Sequence, residues 1–400
     1  MSKNIISTHK NATFNWPLQK NTIGLQEKLA LIGFILKSDR FTNGPQCLDF
    51  EKAWTKWQGR KYSLFVSSGT TANTLLLDAV RDLYFSKKTK LKILCPAVNW
   101  ATNISTFKQQ GHDIFFYDID YNTYSPTYSS LKRYYQVGLK PDIIYATHIM
   151  GFANDLREVK KYWPEAIVLE DCCESHGALT RDKHKVGNEG LGSTFSFYFG
   201  HHMTTIEGGM VSTDDEDLYN LMRAKRSHGM AREMTLNYRQ LEERLAPDID
   251  PMFLFPTEGY NFRNTELGAV LGLVQLKKLD SFIKQRKENY CVFLSTMIGH
   301  PWIKSLPDPT GNSAMTLPFH CVSPEKKQIL KDRLIKLGVE TRPFLVGNLL
   351  KQPFMSDFKQ KPYLPNSEEI HTHAFYIGNN HFVTEEQIYK LSKELHKCAA

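Results

Sequence analysis

The chain has 400 residues, 41% hydrophobic and 23% charged, with a formal net charge of +8. This is an ordinary soluble composition, long enough for one large domain plus a smaller one, or for two comparable ones. The longest apolar run, Leu29 to Leu36, is far too short to span a membrane, and the polar start Met1 to Pro17 does not read as a signal peptide. The basic residues are spread, with only modest clusters such as Lys87 to Lys92, which argues against nucleic-acid binding and leaves a mild positive field suited to a phosphorylated small molecule.

Residues 1–40 are expected to form an N-terminal segment and arm. From about residue 60, short apolar runs alternate with helical patterns. "YSLFVSS" (Tyr62 to Ser68) reads as a strand, followed by the helical spacing of "TANTLLLDAVRDLYF". "LKILCP", "DIFFYDID", "PDIIYATH" and "AIVLED" then read as further strands, being short, apolar and rich in β-branched or aromatic residues. Strands alternating with helices predict an α/β domain over 41–285 with a mostly parallel sheet. Asp215 to Glu258 is highly charged and is expected to include long surface connections. "QLKKLDSFIKQRKENY" reads as a charged helix, and residues 286–400 as a smaller α+β domain containing "MTLPFHC", "VETRPF" and two helices. Seven scattered cysteines, odd in number, suit reduced thiols in a cytosol better than a disulfide framework.

Ligands of such sheets sit at the carboxyl ends of the strands. "SSGTTAN" (Ser67 to Asn73) sets glycine and hydroxyl residues between a strand and a helix, as a phosphate seat or simply as a helix cap. "LEDCCESHGA" (Leu169 to Ala178) ends a strand with Glu170, Asp171 and Glu174; Asp171 either holds a cationic ring nitrogen or caps a loop. Cys172, Cys173, Glu174 and His176 lack the spacing of a zinc site, so no metal is expected. "FSFYFGHHMTTIEGGM" (Phe195 to Met210) puts His201 and His202 in a glycine-flanked loop after a strand. The residues alone lead to an α/β enzyme for a phosphorylated ligand.

In their order and spacing these segments resemble the DegT/DnrJ/StrS family of pyridoxal phosphate (PLP)-dependent sugar aminotransferases, from about Phe41 to the C-terminus. The resemblance implies the aspartate aminotransferase-like (fold type I) architecture, with 41–285 binding PLP or its amine form, PMP. "RFTNGPQCLDFEKAWTKWQGRKYSLFVSSGTTAN" is similar to the family's F-x-x-G element leading to an S-G-T turn. "CPAVNWATN" resembles the segment whose aromatic residue, here Trp100, stacks on the pyridine ring. "EDCCESHGA" resembles the element whose aspartate, here Asp171, pairs with the ring nitrogen, with Glu174 assisting. "GYNFRNTELGAVLGLVQL" resembles the G-x-N-x-R segment that reaches into the partner subunit's site through Asn261. Gly69, Thr70, Ser196 and the partner's Asn261 would hold the phosphate. By the same likeness, Arg232 and Arg263 would hold a glutamate carboxylate, and Arg342 and Asn348 would contact a nucleotide-sugar.

One departure stands out. The family pattern F-S-F-x-x-x-K places its lysine six residues before the glutamate of E-G-G; counting back from Glu207 gives His201, and no lysine lies between Lys185 and Lys225. An imidazole cannot make the covalent link to PLP that lysine makes, but it moves protons near neutral pH. The cofactor would be held noncovalently. The exchange resembles the nucleotide-sugar 3-dehydratases of deoxysugar synthesis, and "FYFGHHMTTIEGG", "RSHGMAR", "RPFLVGNLLK" and "IGNNH" are similar to the GDP-sugar branch. That branch implies removal of the carbon-3 hydroxyl of GDP-4-keto-6-deoxy-D-mannose, with L-glutamate as amino donor and 2-oxoglutarate as its product, for surface polysaccharide. The CDP-sugar branch resembles it less, because its iron–sulfur cluster uses a C-x-C pair and the close pair here is the adjacent Cys172 and Cys173. The competing readings are an aminotransferase, a 3-dehydratase for another nucleotide-sugar, and a catalytically inactive PLP-fold protein. A homodimer with shared sites is also implied.

Overall fold

The computed structural model describes residues 12–399. The larger sheet contains β1 (Tyr62–Val66), β2 (Lys92–Pro96), β3 (Asp113–Tyr117), β4 (Ile143–Thr147), β5 (Ile167–Asp171), β6 (Gly192–Ser196) and β7 (Gly209–Thr213), in the order β1-β7-β6-β5-β4-β2-β3. β2, β3, β4, β5 and β6 pair in parallel, and β7 is antiparallel to both β1 and β6. The expected strands appear within two residues at each end, except that β3 stops at Tyr117, three residues before the end of "DIFFYDID". β7 has no alternating signature, because all five of its residues are buried.

The helices of this part are α1 (Leu25–Lys37), α2 (Pro45–Gln58), α3 (Gly69–Tyr84), α4 (Ala101–Gln109), α5 (Tyr128–Gln136), α6 (Arg157–Tyr162), α7 (Glu216–Arg226), α8 (Leu236–Leu245) and α9 (Glu266–Met297). The charged stretch Asp215 to Glu258 holds α7 and α8 as well as the connections around them. Asp215 caps α7 by accepting from Leu218 N, and Leu218 and Met222 bury one face of that charged helix at helical spacing.

The F-x-x-G element has a physical role. The free amides of Gly44, Gln46 and Cys47 at the start of α2 donate to the Glu266 carboxylate at 2.9, 3.0 and 2.9 Å. A buried carboxylate thus answers the positive end of a helix. The buried ion pair Arg226–Glu51 (2.7 Å) then ties α7 to α2, and Glu51 also accepts from Phe65 N on β1.

The second sheet is antiparallel, with β8 (Ile303–Ser305), β9 (Thr316–Cys321), β10 (Thr341–Pro343) and β11 (Ala374–Gly378) in the order β10-β11-β9-β8. It carries α10 (Pro324–Leu337), α11 (Pro365–His373) and α12 (Glu385–His396). α9 has no proline and runs unbroken through 285/286. Its first half packs Ala269 and Leu279 with Phe50 and Trp54, and its second half packs Tyr290, Phe293 and Met297 with Leu317, Phe319 and Phe375. One helix therefore belongs to both cores. Of the N-terminal segment, Met1 to Asn11 lie outside the described residues; the part that follows docks on the second sheet, Trp16 Nε1 donating to Gly378 O at 2.8 Å. Among the described residues no helix is long and apolar enough to cross a membrane, and all seven cysteines are unpaired.

Candidate active site

Because β1, β4, β5 and β6 point the same way, their carboxyl ends meet at one edge of the sheet. A cavity of about 390 Å³ opens there. Gly69, Thr70, Trp100, Asp171, Glu174, Ser196 and His201 all line it, joined by Asn73, Asn103, His148, Cys173, Tyr198, Glu207, Met315 and Tyr376.

The turn after β1 is a capped helix start. Ser68 Oγ accepts from Thr71 N (3.1 Å), and Thr71 Oγ1 accepts from Ser68 N (2.9 Å). The amides of Gly69 and Thr70 in the first turn of α3 have no helical acceptor, which suits an anion. A Cβ at Gly69 would lie 2.8 Å from Ser196 Cβ and 3.0 Å from Cys173 Sγ, so only glycine lets this turn approach the end of β6. Trp100 begins α4 at the cavity rim, half exposed, an available flat surface for a ring.

Asp171 ends β5 and is buried. Asn103 Nδ2 donates to its Oδ2 at 2.6 Å and Cys173 N to its Oδ1 at 2.9 Å. Asn103 is fixed in turn: Asn73 Nδ2 donates to its Oδ1 (2.7 Å), and its Nδ2 also donates to Asn99 Oδ1 (2.8 Å). This amide chain aims a buried carboxylate into the cavity, as a protonated ring nitrogen requires. It was not read from the sequence, although Asn73 closes the quoted turn and Asn99 and Asn103 recur four apart beside Trp100.

Glu174 lines the same wall, its Oε2 accepting from Met150 N at 2.9 Å. Burial pushes its carboxyl up to about 7; the Met150 hydrogen bond opposes the rise and the charge of Asp171 adds to it. Below the cavity, burial raises the Glu170 pKa, but the hydrogen bond from His148 and the amides of Gly190 and Gly187 outweigh it and bring it below the usual carboxylate range. His148, Glu170 and Cys172 stand close enough to suggest a metal triad. The donors are spent, however: Glu170 accepts from three backbone amides and faces His148 Nε2 at 3.0 Å, while His148 Nδ1 accepts from Asn154 N.

The two histidines part ways. His202 is fully buried, and its Nε2 donates to Ser313 O at 3.1 Å. His201 faces the cavity, and its Nδ1 has no hydrogen-bond partner among the described residues. Burial, and then the charge of Arg286, push the His201 imidazole down to about 4. It is therefore a neutral base at ordinary pH.

The remaining sequence candidates do not line this chain's cavity. Asn261 and Arg263 form an exposed group with His228, Arg263 Nη2 standing 3.2 Å from His228 Nε2 and Arg263 Nε donating to Asn261 Oδ1 at 3.2 Å. Arg232 donates to Met252 O. Arg342 is an exposed β10 residue paired with Glu340 at 3.0 Å, across the ladder from the cavity residue Tyr376. Asn348 is buried and committed to its own backbone turn, its Oδ1 capping Leu350 N and its Nδ2 donating to Glu368. Among the described residues no lysine or arginine lines the cavity.

The fold and the site together define a class. Residues 24–396 match the model of the DegT/DnrJ/EryC1/StrS aminotransferase family, and the chain belongs to that family. It is 35% identical to the GDP-4-keto-6-deoxy-D-mannose 3-dehydratase of Yersinia pseudotuberculosis over 96% of this chain and 98% of that protein. It is 33% identical to the enzyme of the same name from Escherichia coli O55:H7, over 94% and 97% of the two chains. A crystal structure of GDP-4-keto-6-deoxymannose-3-dehydratase with a trapped PLP-glutamate geminal diamine superposes with a TM-score of 0.85 at 30% identity, covering 95% of this chain and all of that one.

Proposed function

We propose that this protein is a PLP/PMP-dependent nucleotide-sugar 3-dehydratase. It removes the carbon-3 hydroxyl of GDP-4-keto-6-deoxy-D-mannose, with L-glutamate as amino donor, and releases a 3,6-dideoxy-4-ketosugar and ammonia. The observation that carries the reading is His201: a neutral imidazole, not an amine, faces the cavity at the position where the family pattern has lysine. Full-length similarity to two 3-dehydratases supports the substrate.

The residues fit the cofactor. The amides of Gly69 and Thr70 and the Ser196 hydroxyl would hold the phosphate, Trp100 would stack on the ring, and Asp171 would keep the ring nitrogen protonated. PLP, when bound, supplies the electron sink that lets a carbon–oxygen bond beside the amine-bearing carbon break. With the cofactor bound, His201 Nε2 would serve as the base at the carbon beside the amine nitrogen and would pass that proton to the departing hydroxyl. Glu174, neutral below about pH 7, donates a hydrogen bond to an anionic oxygen on the ring. With no lysine to recapture the cofactor covalently, the chemistry runs to elimination and hydrolysis rather than to an amino sugar.

The cavity's wall carries Asp171, Glu174 and Glu207 but no cation, while phosphate, diphosphate and glutamate are all anions. We infer that a second copy completes the site with Asn261 and Arg263 of the partner subunit, with Arg232 and Arg342 near the glutamate and nucleotide. Leu25, Leu29, Ile32 and Leu36 form a stripe on α1 that is 52% to 80% exposed, an apolar face available to that copy.

The test is a reaction of protein, PLP, L-glutamate and GDP-4-keto-6-deoxymannose, read by mass spectrometry with ammonia and 2-oxoglutarate assayed in parallel. Deoxygenated ketosugar with ammonia supports the dehydratase. An amino sugar makes the protein an aminotransferase, and 2-oxoglutarate without sugar conversion points to another nucleotide-sugar.

A further inference from the structure

Among the described residues, the buried Lys225 and Arg226 have carboxylate partners and the buried Arg286 does not. Arg226 pairs with Glu51 at 2.7 Å and Lys225 with Asp78 at 2.8 Å. Arg286, on α9 and fully buried, makes no ion pair among the described residues. Its Nη1 donates to Met315 O (3.0 Å) and to Asn379 O, while Nε and Nη2 are without partners. An unpaired guanidinium out of water is costly, so its retention calls for a use.

Its surroundings supply one. Met315, whose carbonyl it holds, lines the cavity with His201. Two residues earlier, Ser313 O accepts from His202 Nε2. The rings of His176 and His201 are 6.2 Å apart, and those of His176 and His202 are 5.2 Å apart. Arg286 thus holds the segment 313–315 that His202 also bonds and that borders the His201 cavity, with His381 stacked on Phe282 one turn earlier on α9. Around His201 itself stand Tyr198 and Glu207 of its own loop, Asp171, Cys173, Glu174 and His176 from the end of β5 and its loop, His148 after β4, and Tyr376 of β11.

We propose that Arg286 is a positioning residue for the reaction: its uncompensated charge keeps His201 in the proton-accepting form and makes the proton that His201 takes up easy to return to the departing hydroxyl. The purpose rests on the dehydratase reading, whereas the electrostatic effect does not. A base whose protonated form is destabilised by a fixed neighbouring charge becomes a stronger acid once loaded. The dehydratase reading assigns both halves to this one side chain. The direction of the His201 shift, which comes first from burial and next from Arg286, agrees.

The experiment is an NMR titration of the His201 ring proton in the cofactor-free protein, assigned with His201→Asn. The wild-type midpoint is expected near 4. Arg286→Gln should raise it by about one unit or more, a tenfold change in the neutral-to-protonated ratio, while Arg286→Lys keeps it low. The acid limb of kcat/KM should move in parallel. A wild-type midpoint at the ordinary value of about 6.5 overturns the proposal without any variant. So does a midpoint that Arg286→Gln leaves unmoved in a protein folded by circular dichroism. A wild-type protein that makes no deoxygenated sugar yet keeps its low, Arg286-dependent midpoint sinks the functional reading alone.

Discussion

Asn103→Leu tests whether the amide chain is what makes Asp171 a usable carboxylate. Leucine matches asparagine in size, so the change removes polarity and leaves little cavity. Three contacts go: the 2.6 Å bond to Asp171, the 2.8 Å bond to Asn99, and the 2.7 Å bond from Asn73. A hydrogen bond to a charged group contributes about 1.5–3 kcal/mol and a neutral one about 1 kcal/mol. Asn99 Oδ1 keeps Trp100 N and Thr147 Oγ1 as donors, so its loss is partly made good. Asn73 Nδ2 keeps only a 3.5 Å approach to Asp171. The expected loss of stability in the cofactor-free protein is on the order of 3 kcal/mol, measured by chemical denaturation. PLP affinity should fall at least about tenfold as Asp171 loses its aim, equivalent to 1.4 kcal/mol. A double-mutant cycle with Asp171→Asn should show coupling of about 1 kcal/mol or more. Stability within about 1 kcal/mol of wild type, together with additive effects on PLP binding, would refute the reasoning.

Gly69→Ala forces a methyl to within 2.8 Å of Ser196 Cβ, so PLP binding should weaken by about tenfold or more, with the fold retained by circular dichroism. Glu174 holds its proton below about pH 7 and loses it as pH rises through that value, so PLP binding by the wild type should decline across that range. Glu174→Gln stays neutral, and calorimetry at several pH values should show the decline reduced; an identical profile would rule out Glu174 as the donor. His201→Asn should cost about 10²–10⁴ in sugar turnover, whereas His202→Asn, which retains a donor toward Ser313, should cost far less. Mixing inactive His201→Asn with inactive Asn261→Ala subunits should restore turnover if sites are shared, since one of the two sites in a hybrid is then intact; absence of rescue in verified hybrids argues against sharing.

What the sequence determined by itself was everything carried by chain continuity. A strand that ends in "SSGTTAN" must deliver Gly69 and Thr70 to the start of the next helix, and one that ends in "VLED" must deliver Asp171 to the same edge of a parallel sheet. Spacing from Glu207 singled out His201 over its neighbour, and the cavity receives His201 while His202 turns to Ser313. Tertiary structure decided what depends on contacts between distant residues. Asn103 meets Asp171 across 68 positions, and Arg286 meets Asn379 across 93. Asn348 was spent on its own turn, and Asn261 and Arg263 were kept out of this chain's cavity. The antiparallel β7 and the helical run from Asp215 were hidden for a related reason: full burial erases the alternation of a strand, and the charged residues of α7 mask the apolar face set by Leu218 and Met222. An amide or guanidinium looks the same in a sequence whether it meets water, backbone or a carboxylate, and only the packing of remote segments decides which.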